Sequence, residues 1–190
     1  MKMPAMIKVL LSLAALGGCT TPPQPVEAVA PDPFAGINPA FGGIPHPAVQ
    51  YALVSTVREL DIAIQGEGFF QIEYMNGQVL LTRNGCFQRD SEGNIVTCSG
   101  FRLLPRITLA PNVVRVQVTR DGHLLAYDWD GNELYDFQIQ LDRVTSPRML
   151  VRIEGDLYMA VPELSGSIVT GEPCKDGFGM LLYGHLEAAF

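Results

Sequence analysis

Basic residues are scarce. Thirteen Lys and Arg stand against 20 Asp and Glu in 190 residues, a formal charge of −7. That is too little to build the basic face with which a nucleic-acid binder displaces counterions. No apolar run reaches the roughly 18–20 residues of a transmembrane helix. There is no GxSxG, HExxH, phosphate-binding loop or dinucleotide fingerprint, and the scattered carboxylates form no readable acid/base pair, so no enzyme signature is present. His46, His123 and His185 share no ligand spacing with one another or with the cysteines. The acidic run Asp128-Trp129-Asp130-Gly131-Asn132-Glu133 lacks the glycine and closing glutamate positions of a calcium loop and reads as a solvated hairpin tip. Apolar residues nevertheless make up 47% and charged ones 17%, a globular composition rather than a disordered one. With 19 Gly and 14 Pro, turns are favoured over long helices.

The N-terminus reads MKMPAMIK, then VLLSLAAL, then GGC. A short basic stretch with Lys2 and Lys8, an apolar core too short to span a bilayer and a small-residue exit describe an export signal over residues 1–18. Leu16-Gly17-Gly18-Cys19 resembles the lipobox of bacterial lipoproteins. The resemblance implies cleavage before Cys19, a diacylglycerol on its sulfur and an acyl group on its new amine. Two or more chains give stable anchoring, at about 0.8 kcal/mol per buried CH₂. Thr20, where Asp would favour inner-membrane retention, points to the outer membrane. Removing Lys2 and Lys8 makes the chain more acidic still, which disfavours adhesion to lipid through a polybasic patch.

Residues 19–49 read as a tether. Eight of the 14 prolines lie there, from Pro22 to Pro47, with only Glu27 and Asp32 charged. Proline lacks the backbone donor and fixes φ, so neither a helix nor an interior strand fits. Thirty residues of extended polyproline geometry span at most roughly 90 Å. Phe34 and Phe41, with Ile37 and Ile44, are large apolar residues among these prolines. They are candidates for contact with a partner or with the following domain.

From residue 50 to 190 the texture is all-β. Strand-length runs span Leu60–Gln65, Phe69–Tyr74, Val79–Thr82, Asn94–Cys98, Val113–Thr119, His123–Tyr127, Leu134–Leu141 and Met180–Leu186. Turn signals separate them, among them Arg83-Asn84-Gly85, Glu92-Gly93-Asn94, Arg120-Asp121-Gly122 and Asp130-Gly131-Asn132. Gly66-Glu67-Gly68 reads as a tight reversal between two strands, with alternate burial of Phe69, Phe70 and Ile72 beyond it. Leu81-Thr82-Arg83-Asn84-Gly85 and Val118-Thr119-Arg120-Asp121-Gly122 echo one another, and both read as hairpins built the same way. One helical turn is expected within Arg148–Arg152.

Seven fragments then follow in order: LDIAIQGEGFFQI from Leu60, LTRNGCFQRDSEGNIVTCSGFRLLP, ITLAPNVVRVQVTRDGHLLAY, FQIQL, GDLYMAV, VTGEP and DGFGMLLYGHLEAA. In order and spacing they resemble the β-domain of the flagellar distal-rod and hook protein family, over about residues 60–187. The resemblance implies that fold and a flagellar setting. Family members polymerise through N- and C-terminal helices. Here the signal and proline tether occupy the first place, and the chain stops at Leu186-Glu187-Ala188-Ala189-Phe190. The resemblance therefore does not imply a tube subunit.

With Cys19 set aside for lipid, Cys86, Cys98 and Cys174 remain. A turn over Ser91-Glu92-Gly93 with Asp90 facing Asn94 places Cys86 opposite Cys98, close enough for a disulfide in an oxidising compartment. The other reading is two small buried thiols. Cys174 is left as free, buried or intermolecular.

Taken together, these features point to an accessory structural lipoprotein, anchored at the periplasmic face of the outer membrane. Its partners are expected to be flagellar rod, hook or ring proteins, with no nucleic acid, small-molecule substrate, metal or cofactor. The alternative is a cell-envelope interaction module that reuses the domain outside the flagellum.

Overall fold

The computed structural model describes residues 48–188. Sixteen short strands are the dominant regular structure of that span. They are β1 (Leu53–Ser55), β2 (Ile62–Gln65), β3 (Phe69–Glu73), β4 (Val79–Thr82), β5 (Phe87–Arg89), β6 (Ile95–Thr97), β7 (Arg102–Leu104) and β8 (Arg115–Val118). Then come β9 (His123–Tyr127), β10 (Glu133–Gln138), β11 (Leu141–Val144), β12 (Val151–Glu154), β13 (Leu157–Met159), β14 (Ile168–Gly171), β15 (Met180–Tyr183) and β16 (His185–Glu187). The only α-helix among the described residues is the single turn α1 (Pro162–Ser165). The expected turn near Arg148 is a 3₁₀ turn over Pro147–Met149.

The strands form a nine-stranded sheet, ordered β12-β13-β4-β3-β7-β6-β5 with β11 and β14 branching off β3, and three small sheets: β10-β9-β8, β15-β2 and β1-β16. Among the described residues every strand pairing is antiparallel, as in hairpin-dominated chains. One edge of β3 is shared. Residues 71–73 pair with β7 and residues 69–70 with β11.

Strands β3 and β4 are buried on both faces. Phe70, Ile72 and Leu80 enter the main core, while Phe69 and Leu81 enter a second cluster with Val144. The alternate burial expected after Gly68 is replaced by two buried faces, because the crossover carrying Leu150 covers the far side of the sheet. Phe70 and Phe87 meet edge to face at 5.0 Å in the main core, a geometry the ring quadrupoles favour.

Two apolar runs split where one stretch serves two sheets. Leu134–Leu141 pairs with β9 as far as Gln138, and from Leu141 it pairs with β14 and β3. Met180–Leu186 breaks at Gly184, whose φ of +66° turns the chain from β2 to β1.

The two expected reversals also differ from the sequence reading. Gly66-Glu67-Gly68 is a corner passing from the β15-β2 sheet to the nine-stranded sheet, with φ of +107° and +135° at the glycines. Arg83-Asn84-Gly85 is no hairpin: β4 pairs with β3 and β13, and β5 with β6. Arg120-Asp121-Gly122 is one, joining β8 to β9.

Candidate interaction surfaces and the corner that supports them

A buried pair of opposite charges holds the domain's ends together. Strand β1 pairs with β16 (Leu53 opposite Glu187), and the ladder continues from the Ala188 N–H to the Ala52 carbonyl at 2.8 Å. Beneath it, Arg83 and Glu187 are 5% and 2% exposed. The Arg83 Nε donates to both Glu187 oxygens at 3.1 and 3.2 Å, and Nη2 donates to Oε1 at 2.5 Å. The remaining donors reach the carbonyls of Ile64, Gly66 and Gly68 at 2.9–3.0 Å and the Gln50 Oε1 at 3.0 Å. Gln50 also accepts from the Gly66 N–H at 2.8 Å and donates to Glu187. A planar guanidinium with five donors suits a corner where three carbonyls and a carboxylate converge. Both Arg83 and Glu187 stand in the family-like fragments of the sequence. Neither was read as a partner of the other, since 104 residues separate them.

Cys86 and Cys98 form a disulfide with Cα atoms 5.7 Å apart. The hairpin beneath them keeps the register set by its turn: Phe87 faces Thr97, Gln88 faces Val96 and Arg89 faces Ile95. Asp90 fixes the turn, its Oδ1 accepting from the Glu92 and Asn94 N–H groups at 2.9 and 2.8 Å. The hydrogen bonds hold the Asp90 carboxyl below the usual carboxylate range, chiefly the one from the Asn94 side chain. Cys174 lies in the turn before β15 with φ +64°. Cys19, Phe34 and Phe41 lie outside the described residues.

Three open features stand out among the described residues. Strands β12 and β14 each pair with one neighbour, and they expose Val151, Ile153, Ile168 and Val169. The β9–β10 hairpin ends in Trp129, which is 86% exposed. Its turn is shaped by Asp128, whose Oδ1 accepts from the Asp130 and Asn132 N–H groups at 3.0 and 2.9 Å. At the hairpin's other end His123 Nδ1 meets Asp136 at 2.7 Å, and that hydrogen bond raises the imidazole pKa above its ordinary value. Tyr135 and Phe137 stack along the strand at 5.5 Å. Finally, an open groove of about 390 Å³ lies beside β5 and β8. The Trp129 turn is thus the solvated hairpin tip that its acidic sequence implies, and it carries an exposed aromatic besides. The available signal was a lone Trp set between two acids in a turn, where no alternating pattern exists to bury it.

Among the described residues no three His, Cys, Asp or Glu side chains gather as metal ligands. No helix there is long and apolar enough to cross a membrane. Asp142, raised by burial, is held by Thr170 and Gln71 at 2.6 and 2.7 Å between three strands, an architectural position.

Fold and site together define a structural all-β module whose buried ions fasten corners and whose open features are strand edges, a groove and an aromatic tip. Residues 63–126 match the family model described as the flagellar hook protein FlgE/F/G D1 domain. The flagellar basal-body rod protein FlgG of Caulobacter vibrioides is 33% identical over 132 residues, covering 68% of this chain and 50% of that protein. FlgG of Agrobacterium fabrum is 29% identical over 138 residues, 72% of this chain and 52% of its own length. The flagellar hook protein FlgE of Rhizobium meliloti is 53% identical over 94 residues, 44% of this chain and 23% of that protein. The domain described here is a β-domain of the flagellar rod/hook family, a structural and non-enzymatic family. The chain spans about half the length of the curated rod relatives it matches.

Proposed function

We propose that this chain is an accessory structural lipoprotein of the bacterial flagellar basal body. Cys19 carries the lipid that holds it at the periplasmic face of the outer membrane. Residues 19–49 span the gap, and the domain from residue 50 onward docks on the rod, the hook base or the surrounding rings. The observation that carries this reading is a rod/hook-family β-domain preceded by a lipobox-like tetrad and eight prolines. The corner geometry is consistent with it, because a chain arriving at Gln50 is fastened at once to Arg83 and Glu187. Phe34 and Phe41 serve as apolar contacts along the tether.

The test is mass spectrometry of purified hook–basal bodies from cells carrying a tagged chain, beside a Cys19→Ala control. Enrichment in step with ring and rod proteins is expected. Loss of that enrichment in the control assigns recruitment to the lipid, and retention assigns it to the domain. Absence from well-preserved basal bodies, with the chain abundant in bulk outer membrane, would overturn the flagellar role and favour an envelope module outside the flagellum.

A further inference from the structure

The groove beside β5 and β8 has an apolar floor and lip made by Leu60, Phe87, Val113 and Val114, with Arg58 and Arg89 beside them. Both arginines are held in place. Arg58 Nη2 donates to the Phe87 carbonyl at 2.9 Å, and Nη1 lies 3.6 Å from the buried Asp61. Arg89 donates to the carbonyls of Leu109, Ala110 and Val113 at 2.7–3.2 Å. Glu59 is the one acid in the lining.

The Trp129 hairpin has the converse character. An indole stands 86% exposed, flanked in sequence by Asp128 and Asp130, with Glu133 three residues past Asp130. An aromatic ringed by acids matches an apolar groove bordered by arginines, both in shape class and in sign of charge. Trp129 is too exposed to be filling the groove of its own molecule.

Tip and groove also share one end of the β10-β9-β8 sheet. Arg115 faces Tyr127, and the Val114 N–H donates to the Tyr127 carbonyl at 2.9 Å, so the lip of the groove adjoins the base of the hairpin. Two copies related by a twofold axis can therefore place each tip in the other's groove within one interface, the isologous arrangement of most dimers.

We propose that the occupant of this groove is the Trp129 hairpin of a second copy of the chain, inserted reciprocally. An aromatic side chain buries about 150–250 Å². Two tips and their rims make an interface at or below the small end of specific contacts, so the association is weak and reversible.

The test uses the full chain in cells, with a photo-crosslinking benzoylphenylalanine replacing Trp129, which keeps an aromatic at the tip. A product of twice the chain's mass is expected, with the cross-link mapping to residues 87–89 or 113–116. Val114→Glu sets an exposed acid on the lip against the acidic tip and should cut the yield about tenfold. It leaves Arg58 and its buried partner intact. Adding Asp130→Arg to that variant should restore the yield. No doubled product at wild-type protein levels, or cross-links only to a different protein, would overturn the proposal. So would a doubled product indifferent to Val114→Glu. Because the contact needs only this chain, it is expected in cells without flagella too, and its failure leaves the basal-body reading to its own test.

Discussion

Two pentapeptides of this chain differ little in letters and greatly in fate. Leu81-Thr82-Arg83-Asn84-Gly85 and Val118-Thr119-Arg120-Asp121-Gly122 each end a strand and precede another. In the second, Thr119 Oγ1 hydrogen-bonds Asp121 at 2.6 Å, Gly122 takes φ +94°, Arg120 is exposed, and β8 folds back on β9. In the first, Arg83 turns inward to meet Glu187, and Gly85 takes no positive φ. Gly85 lies instead against β2, with the Ile62 N–H donating to its carbonyl at 3.0 Å. The lesson is that a turn-like string becomes a turn only when nothing distant outbids the local hydrogen bonds. A buried carboxylate 104 residues away does so here.

The comparison can be broken at several points. Gly85 carries the largest expected effect. A Cβ there would sit 1.6 Å from the Ile62 carbonyl oxygen, which no side-chain motion relieves. Gly85→Ala should cost more than about 4 kcal/mol and leave little folded protein by circular dichroism. Gly122→Ala meets the movable end of Gln138 at 2.6 Å and Pro173 at 2.7 Å, besides its positive φ. It should cost less, with a measurable folded transition remaining.

Next comes the arginine pair. Arg83→Ala strands Glu187 without its countercharge in a buried corner, and about 3–5 kcal/mol is expected to be lost in urea denaturation. Arg120→Ala, on the exposed turn, should stay within about 0.5 kcal/mol of the parent. Equal effects from the two variants would mean that the two arginines do not differ in structural role.

The hairpin that follows the first pentapeptide offers a third probe. Cys86→Ser with Cys98→Ser opens a loop of sequence separation 12, and about 2–3 kcal/mol should disappear, read as a lower denaturation midpoint.

The smallest effect is a pH dependence at the second pentapeptide. His123 follows Gly122 directly, and Asp136 raises its folded pKa above the unfolded value of about 6.5. A raised cationic group stabilises fully below the unfolded pKa and loses that contribution as pH rises through the folded one. The melting temperature of the parent should therefore exceed that of Asp136→Asn by more at pH 5.5 than at pH 8.5. The margin should be small, since the pair is exposed and screened by salt.

What could be read in the sequence follows the same division between local and distant causes. β4 (Val79–Thr82) and β9 (His123–Tyr127) coincide with their apolar runs, because length and flanking turn residues bound them. The β5–β6 register was legible because the Asp90 side chain sets it over four residues. The family-like fragments made the rod/hook domain legible as well. The Arg83–Glu187 contact was hidden because it joins the segment after β4 to β16, 104 residues further on. The split of Leu134–Leu141 was hidden too, since period-two alternation is the same whichever sheet a strand joins. Trp129 was seen only as part of a polar turn, because exposure of a large aromatic depends on what the fold leaves beyond the tip.

The Gln50 contact has a mechanical consequence. A load arriving along the chain from residue 48 meets Gln50 before it reaches β1, where the three-rung ladder to β16 begins. Pulled alone, that ladder would open like a zipper, one rung at a time. Gln50 instead passes the load to Arg83, and Arg83 passes it to the carbonyls of Ile64, Gly66 and Gly68. The corner thus acts as strain relief at the point where a cord meets its housing, directing tension into the sheet and away from the short strand that would otherwise peel.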